Sequence, residues 1–447
     1  MTPQANNTQD NNSLASYQQA VEEAKRSVDP IIVGHQLVNL GLSQFSMKDY
    51  ESGMQSLDQA VEIARDENDA RAEASFLGNK GLAVWEARQY PAALECFAEV
   101  LKIAEENNFS SLKCDALGNI GMVMLDAGDP NQGVQLLKEA LAFAMEIDDK
   151  ARQIINWGNL GHVYLEVSNL EHAVQCFQEA LDLARETGDR QAEAGYLNNL
   201  GVVYTQQNNP EKSISFFQQA LKIVRHLGDH QGELNMIGLL VQALKQKNRI
   251  SEVVELLQRG LVLADELKKS EEKLIFLDEL IPIFQSQGND SESMSLITQA
   301  LPLLENDNNQ QKRLDYLIQL GNICFEANKL EEASVHYEAS FDLAVQTANE
   351  KLEAFVLGRL ATVLAEQGNY ETSNEYIDRA LRISENQNDS KFTVELQCIK
   401  AMNYRDLDQL EQATLTCQQA IALHEVDNNS PSLDMAKQLL LELNATV

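Results

Sequence analysis

Apolar residues recur along most of the chain with the spacing of one helical face. Trp157, Leu160, Gly161 and Tyr164 occupy positions i, i+3, i+4 and i+7, which lie on the same side of an α-helix. About ten residues after this stretch a second amphipathic pattern begins, with Phe177, Ala180, Leu181 and Ala184 set between Glu and Gln residues. The pattern predicts two helices in succession, each with one buried face.

This pair of helices recurs with a period of 40 residues. GNKGLAVWEARQY, GNIGMVMLDAGDP, GNLGHVYLEVSNL and NNLGVVYTQQNNP begin at residues 78, 118, 158 and 198. Short segments rich in Gly, Asn and Asp separate the helices, as expected where a helix ends in a left-handed residue. We therefore predict an all-α, right-handed superhelical solenoid of about ten helical hairpins.

The two ends of the chain match half repeats. Residues 13–26 resemble a second helix and residues 432–444 a first helix, so we expect a single capping helix at each end of an entire array. We predict a disordered tail at 1–12 and one repeat domain at 13–447. Within it we expect regular repeats at about 31–233, divergent repeats at about 234–313, and further repeats at about 314–431 before a closing helix at about 432–444. The divergent segment has Val241 and Ile281 where other repeats have Gly or Ala.

These features resemble the tetratricopeptide repeat. The resemblance lies in the small residue of the first helix, such as Gly161, the aromatic residue three positions later, such as Tyr164, and the Ala of the second helix, such as Ala180. The usual period is 34 with a closing proline, whereas this chain has 40 and lacks that proline. The longer form is similar to the repeats of kinesin light chain and of spindle-orientation adaptors. The resemblance implies protein or peptide binding in a superhelical groove.

The net charge of the chain indicates which kinds of partner it can attract. The chain has 35 Lys and Arg against 68 Asp and Glu, a formal net charge of −33. Such a field disfavours nucleic acid and anionic membranes and favours a basic partner. Surplus acid also serves solubility, and that alternative stays open.

The remaining composition favours a cytoplasmic protein. The six cysteines form no Cys-x-x-Cys pair, the first residues are polar rather than a signal peptide, and no long apolar run occurs. No phosphate-binding loop, dinucleotide fingerprint, zinc-protease motif or nucleophile elbow is present. We therefore expect no catalytic residues, no metal and no cofactor.

The candidate peptide-binding residues begin with an asparagine column two positions before the small residue: Asn39, Asn79, Asn119, Asn159 and Asn199. In the resembling families this position faces the groove, where an amide both donates to and accepts from a peptide backbone. With neighbouring helices about 10 Å apart and a strand rising about 3.3 Å per residue, each Asn meets roughly every third peptide residue. The alternative is a structural role, in which each amide bonds a nearby helix terminus.

A second set of candidates lies near the ends of the same helices. Glu86, Asp126 and Glu166 would make an acidic channel for a Lys- or Arg-bearing segment, with Trp85 as an apolar pocket and His162 beside them. The alternatives are a solvated last turn for the acids and packing between repeats for Trp85. The cationic clamp of chaperone-binding members is not expected, because these positions are not basic.

We predict a scaffold or adaptor that binds an extended, basic segment of a partner along the first five repeats. Two alternatives remain open at this point. One is a regulatory sensor whose superhelix tightens around a peptide. The other is a structural scaffold that assembles into homo-oligomers.

Overall fold

The structure is a computed structural model that describes residues 3–26, 29–305, 309–387, 389–423 and 431–446. Within these ranges it holds 22 α-helices, one 3-10 turn and no strand, which confirms the all-α prediction. The helices are α1 Pro3–Ala24, α2 Pro30–Ser46, α3 Tyr50–Asp66, α4 Ala70–Glu86, α5 Tyr90–Glu106, α6 Ser110–Asp126, α7 Pro130–Glu146, α8 Lys150–Glu166, α9 Leu170–Thr187, α10 Arg190–Gln206, α11 Pro210–Leu227, α12 His230–Gln246, α13 Ile250–Glu266, α14 Ser270–Ser286, α15 Asp290–Ala300, α16 Gln310–Glu326, α17 Leu330–Gln346, α18 Glu350–Glu366, α19 Tyr370–Asn386, α20 Ser390–Asp406, α21 Leu410–Ala422 and α22 Pro431–Thr446.

The helices begin at positions that follow the 40-residue period, with no insertion or deletion between the described hairpins. The even-numbered helices α2 to α20 begin every 40 residues, from Pro30 and Ala70 to Ser390, and the odd-numbered helices α3 to α21 do the same from Tyr50. Each even-numbered helix, the first helix of a hairpin, packs against the odd-numbered one that follows it. The described chain is thus a solenoid of ten hairpins, with α1 and α22 as unpaired helices.

Local sequence explains where the helices begin and end. Asp or Asn precedes most helices, and its side chain accepts a hydrogen bond from a backbone N–H of the first turn, as Asp69 does from Ala72 at 2.9 Å. The turns contain a residue with positive φ, and it is often not glycine: Lys48, Arg88 and Ser168 have φ of 65°, 59° and 58°. The expected left-handed position is therefore confirmed, whereas the expectation of Gly or Asn there is too narrow.

The small residue of each first helix lies against a large side chain of the second helix in the same hairpin. A Cβ added to Gly161 would lie 2.5 Å from the ring of Phe177, and one added to Gly201 2.4 Å from Phe217. At the corresponding positions of the divergent segment, Val241 and Leu257 are both buried, so the core continues through this hairpin.

The first helix of the chain includes most of the segment predicted as a disordered tail. Helix α1 spans Pro3–Ala24, so it takes in residues 3–12 together with the helix expected from residue 13, while residues 1–2 lie outside the described residues. Asn, Gln and Thr are weaker helix formers than Ala but do not break a helix. The expected closing helix at 432–444 lies inside α22.

The chain, for which one repeat domain is predicted at 13–447, divides into two compact units. The first comprises Met1–Leu267 and the second Lys268–Val447, so the division falls inside the segment expected to diverge, 234–313. The first unit contains α1 and six hairpins, and the second contains four hairpins and α22. In the second unit α15 stops at Ala300 and continues as a 3-10 turn, Leu301–Leu304, that includes Pro302.

Candidate functional site

The asparagine column lies on one face of the first helices of the first unit. Each Asn occupies the tenth position of its helix, in α2, α4, α6, α8 and α10, because the register never shifts. Asn39 is exposed and the other four are half-buried. Their side chains are therefore at the surface, where a ligand could reach them.

Three of the five asparagines line one cavity of about 340 Å³, and they come from three consecutive hairpins. They are Asn79 on α4, Asn119 on α6 and Asn159 on α8. Two exposed apolar side chains, Leu82 and Ile155, line the same cavity, with 40% and 53% of their surface accessible. We call this surface the amide groove.

Two of the five asparagines have a hydrogen-bond partner within the fold. Asn79 donates from Nδ2 to the carbonyl oxygen of Ser75 at 2.9 Å, one turn earlier in its own helix. Nδ2 of Asn199 lies 3.3 Å from Nε2 of His162 on the preceding first helix. In the part of the chain that the structure describes, Asn119 and Asn159 form no such bond, so their amides remain free to bind a ligand.

A second cavity, of about 550 Å³, adjoins the amide groove. Trp85, Glu86 and Asp126 line it, and Leu82 lines both cavities, so the two surfaces are continuous. Glu86 and Asp126 are exposed, and the indole Nε1 of Trp85 donates to Oδ2 of Asp126 at 2.7 Å. The cavity thus combines an aromatic residue with two acids, and one of these acids is already bound by the indole.

Arg88 also lines the second cavity, and sequence reasoning missed it. It lies in the turn after α4, outside the helical face from which the candidates were chosen, and its left-handed conformation was the only local signal. The cavity is therefore a mixed-charge site with two carboxylates and one guanidinium.

His162 and Glu166 belong to the same face but lie outside both cavities. The His162 ring packs edge-on against Phe177 with centroids 5.1 Å apart, and burial lowers its pKa. Glu166, at the end of α8, is exposed. These two residues extend the candidate surface toward Asn199 rather than completing the cavities.

The floor of the amide groove contains a buried amide that the sequence did not single out. Asn156 is 3% exposed and donates from Nδ2 to the carbonyl oxygen of Arg152 at 2.9 Å. A Cβ on Gly118 would lie 3.0 Å from Oδ1 of Asn156, so glycine is needed for α6 and α8 to approach at this level. Arg152 in turn binds the Asp115 carboxylate with two nitrogens, at 2.9 and 2.7 Å, and so fixes the two helices that carry Asn119 and Asn159.

Neither a metal-binding group nor a membrane-spanning helix is found among the described residues. No group of three or more His, Cys, Asp or Glu side chains within the described ranges is arranged to hold a metal ion. Among the described helices, none combines the length and the apolar character needed to cross a membrane. All six cysteines are buried free thiols, and burial raises the pKa of Cys114 to about 11.

Three family models match four stretches of the chain. A model of the tetratricopeptide repeat matches residues 112–186 and 192–266, and another model of this repeat matches residues 37–67. A model of anaphase-promoting complex subunit 5 matches residues 314–446. A search of curated protein sequences finds no significant match.

Solved structures of low sequence identity also match. BtubC from P. vanneervenii is 21% identical over 49% of this chain and 92% of its own, with a TM-score of 0.43. The quorum sensor NprR from B. thuringiensis, in its apo form, is 16% identical over 76% of this chain and 97% of its own, with a TM-score of 0.31. Nearly identical repeats assigned to kinesin light chain in Podosopora anserina are 18% identical over 43% of this chain and 94% of theirs, with a TM-score of 0.34.

Proposed function

The chain is a tetratricopeptide-repeat protein, and from that premise we propose that it is a scaffold or adaptor that binds an extended, basic peptide segment of a partner protein in the amide groove. The observation that carries the proposal is the cavity lined by Asn79, Asn119 and Asn159 from three consecutive hairpins. A binding role fits this surface, because it offers amides and apolar side chains that a peptide can contact.

The geometry of three stacked helices favours an extended ligand. First helices of neighbouring repeats lie about 10 Å apart, and a strand rises about 3.3 Å per residue, so three asparagines reach a segment of roughly seven residues. Each amide can donate to a peptide carbonyl oxygen and accept from a peptide N–H. Such binding depends little on the side chains of the peptide. Leu82 and Ile155 add apolar contacts on the same surface.

The charge around the groove favours a basic segment. Glu86 and Asp126 lie in the adjoining cavity, and the chain as a whole carries −33. Lys or Arg side chains of a ligand would meet these carboxylates, although Arg88 offsets part of that attraction. We also propose a reducing, cytoplasmic location, which six unpaired cysteines support.

The test is a binding measurement with a defined probe. A fluorescein-labelled extended peptide of about ten residues, with Lys at every third position and Leu and Ala between, is titrated with the full chain. Asn119→Ala combined with Asn159→Ala is expected to weaken binding about tenfold or more, because two bidentate amide contacts are lost. The matched control combines Asn131→Ala with Asn386→Ala, two exposed asparagines on second helices outside the groove.

Two results would overturn the proposal. Affinity of the groove variant within about twofold of the unchanged chain, with its helical content intact, would remove the asparagines from the binding site. Equal affinity for a peptide with Glu in place of Lys would remove the preference for a basic segment. Capture of partners from a cell lysate by the unchanged chain and by the groove variant then identifies the natural ligand.

A further inference from the structure

One second helix of the first unit differs in charge from all its counterparts. Helix α11 carries Lys212, Lys222, Arg225 and His226 against the single acid Glu211. The second helices α3, α5, α7, α9 and α13 each carry more acidic than basic side chains. The position of His226 shows the contrast most clearly, since the five other second helices of this unit have an acid there: Asp66, Glu106, Glu146, Glu186 and Glu266.

Two cavities flank this helix, and Lys222 and His226 line both. The larger, of about 790 Å³, is formed by α11, α12 and α13 and has an apolar floor of Leu221, Leu240 and Leu256. The smaller, of about 320 Å³, lies between α10 and α11 and includes the apolar residues Leu197, Ile223 and Leu227. We call the two cavities and the helix face between them the basic saddle.

The arginines of the saddle are held by buried carboxylates. Glu233 on α12 is 2% exposed and accepts from Arg225 at 2.7 Å and from Arg259 at 3.1 and 3.0 Å. Burial would raise the pKa of Glu233, but the hydrogen bonds from Arg259 and Arg225 outweigh it and hold the pKa below its ordinary value. One carboxylate thus fixes two guanidinium groups, so the cluster retains one positive charge and a preset geometry.

The same arrangement occurs on the other side of α11. Glu193 on α10 is 6% exposed and accepts from Arg185 at 3.0 Å and from Arg190 at 2.5 Å. Glu193 and Arg190 both line the smaller cavity. Each flank of α11 therefore presents two arginines that share one buried acid.

The unpaired charge at the centre of the saddle is the Lys222 ammonium. Neither Lys222 nor His226 has an ion-pair partner among the residues that the structure describes. Of the two acids in the larger cavity, Glu252 is bound by Arg249 at 2.6 and 2.7 Å, which leaves Glu255 as the one competing carboxylate. The saddle is thus a positively charged patch on a chain whose net charge is −33.

We propose that the basic saddle is a second binding surface, which takes an acidic peptide segment of a partner. Carboxylate side chains would pair with Lys222 and with the outward edges of Arg225, Arg259 and Arg190, while apolar side chains of the same segment would cover Leu227, which lines the smaller cavity and is 50% exposed. A small anion would satisfy the charge but leave Leu227 in contact with water, so an acidic peptide fits the surface better. This site is formed by other residues than the amide groove and takes ligands of the opposite charge.

The test uses a fluorescein-labelled peptide of about ten residues that alternates Glu with Leu and Gly, titrated with the full chain. Lys222→Glu combined with His226→Glu is expected to weaken binding about tenfold or more, because attraction becomes repulsion at the centre of the saddle. The matched control combines Lys102→Glu with Lys138→Glu. Lys102 occupies the position of Lys222 in α5, three repeats earlier, where it pairs with Glu106 at 3.9 Å.

Several outcomes would overturn the proposal. An equal loss of affinity in the control would show that added negative charge anywhere on the chain weakens binding, and that the saddle is not the site. Displacement of the peptide by inorganic phosphate as readily as by unlabelled peptide would indicate a simple anion site. A change of oligomeric state in the Lys222 and His226 variant, measured by sedimentation, would indicate that a second copy of this chain is the occupant. Unchanged helical content and unchanged binding of the Lys-bearing peptide to the amide groove show that the variant is folded.

Discussion

Nε1 of Trp85 lies 2.7 Å from Oδ2 of Asp126, and this hydrogen bond joins the last turns of α4 and α6, the first helices of two consecutive hairpins. The bond has two consequences for the proposed groove. It fixes the spacing of the helices that carry Asn79 and Asn119, and it occupies one oxygen of an acid that would otherwise be free for a basic ligand.

Trp85→Phe separates these two effects, because it keeps an aromatic ring and removes only the N–H donor. We expect a loss of stability of about 1 kcal/mol, the ordinary contribution of a partly exposed hydrogen bond. Affinity for the Lys-bearing peptide should stay within about threefold or rise, since the Asp126 carboxylate becomes free. Urea unfolding and fluorescence polarisation measure the two quantities.

The chain offers a control in its other tryptophan, Trp157, a half-buried residue of α8. Trp157→Phe keeps the bond between Trp85 and Asp126, so it should leave peptide affinity unchanged. A fall of more than about tenfold in the affinity of Trp85→Phe would instead show that the bond preorganises the groove.

Much of the fold could be predicted from the sequence because the repeat is so regular. The 40-residue spacing alone places the starts of the helices from Pro30 to Leu410. The conformation of the turns could not be predicted in the same detail, since Lys48 and Arg88 adopt a left-handed backbone that their residue types disfavour. Tertiary packing of the two helices on either side imposes it.

The candidate site was predicted in part. Periodicity identified Asn79, Asn119 and Asn159, which the structure brings into one cavity. It could not indicate that Arg88 joins the adjoining cavity or that Glu166 lies outside it, because the direction of a side chain at a helix end depends on how the next hairpin packs. The basic saddle was missed altogether, because its central cations lie on the second helix α11, whereas the candidates were chosen from the first helices.

Acidification should weaken the fold through His162. The ring packs on Phe177, and this partial burial lowers its pKa, so the native state favours the neutral ring. The unfolded chain binds a proton more readily, and stability is therefore lost as pH falls below the ordinary histidine value of about 6.5. His162→Gln, which cannot titrate, should show a smaller decline of the urea midpoint between about pH 7 and pH 5 than the unchanged chain.

His230→Gln is the control for this experiment, because His230 lies exposed at the start of α12. It should leave the pH dependence as it is in the unchanged chain. If both variants decline in parallel with the unchanged chain, His162 does not contribute to the acid sensitivity. The expected difference is small, since part of the His162 ring remains in contact with water.

Two glycine-to-alanine changes should have opposite effects on stability, because one glycine lies against a neighbouring helix and the other does not. Gly161→Ala should destabilise the chain by about 1 to 3 kcal/mol, because its Cβ would lie 2.5 Å from the buried ring of Phe177. Gly195→Ala should stabilise it by up to about 1 kcal/mol, because nothing lies within 4 Å of its Cβ and alanine is the better helix former. Thermal and urea unfolding measure the stability of both variants. An equal change in stability would contradict the close approach of the two helices at Gly161.

The turns make a last prediction, at Ala348. This residue has a φ of 51°, and the turns of α9 and α11 have glycine at the same position of the repeat, Gly188 and Gly228. Ala348→Gly should raise the free energy of unfolding by about 1 kcal/mol, because a left-handed backbone costs an L-residue more than it costs glycine. Ala327, which follows α16 in the same unit and is equally exposed, has a φ of −79°, so Ala327→Gly should lower stability by a few tenths of a kcal/mol to about 1 kcal/mol. Chemical denaturation measures the free energy of unfolding of the two variants. If Ala348→Gly is no more stable than Ala327→Gly, the left-handed turn is not strained in solution.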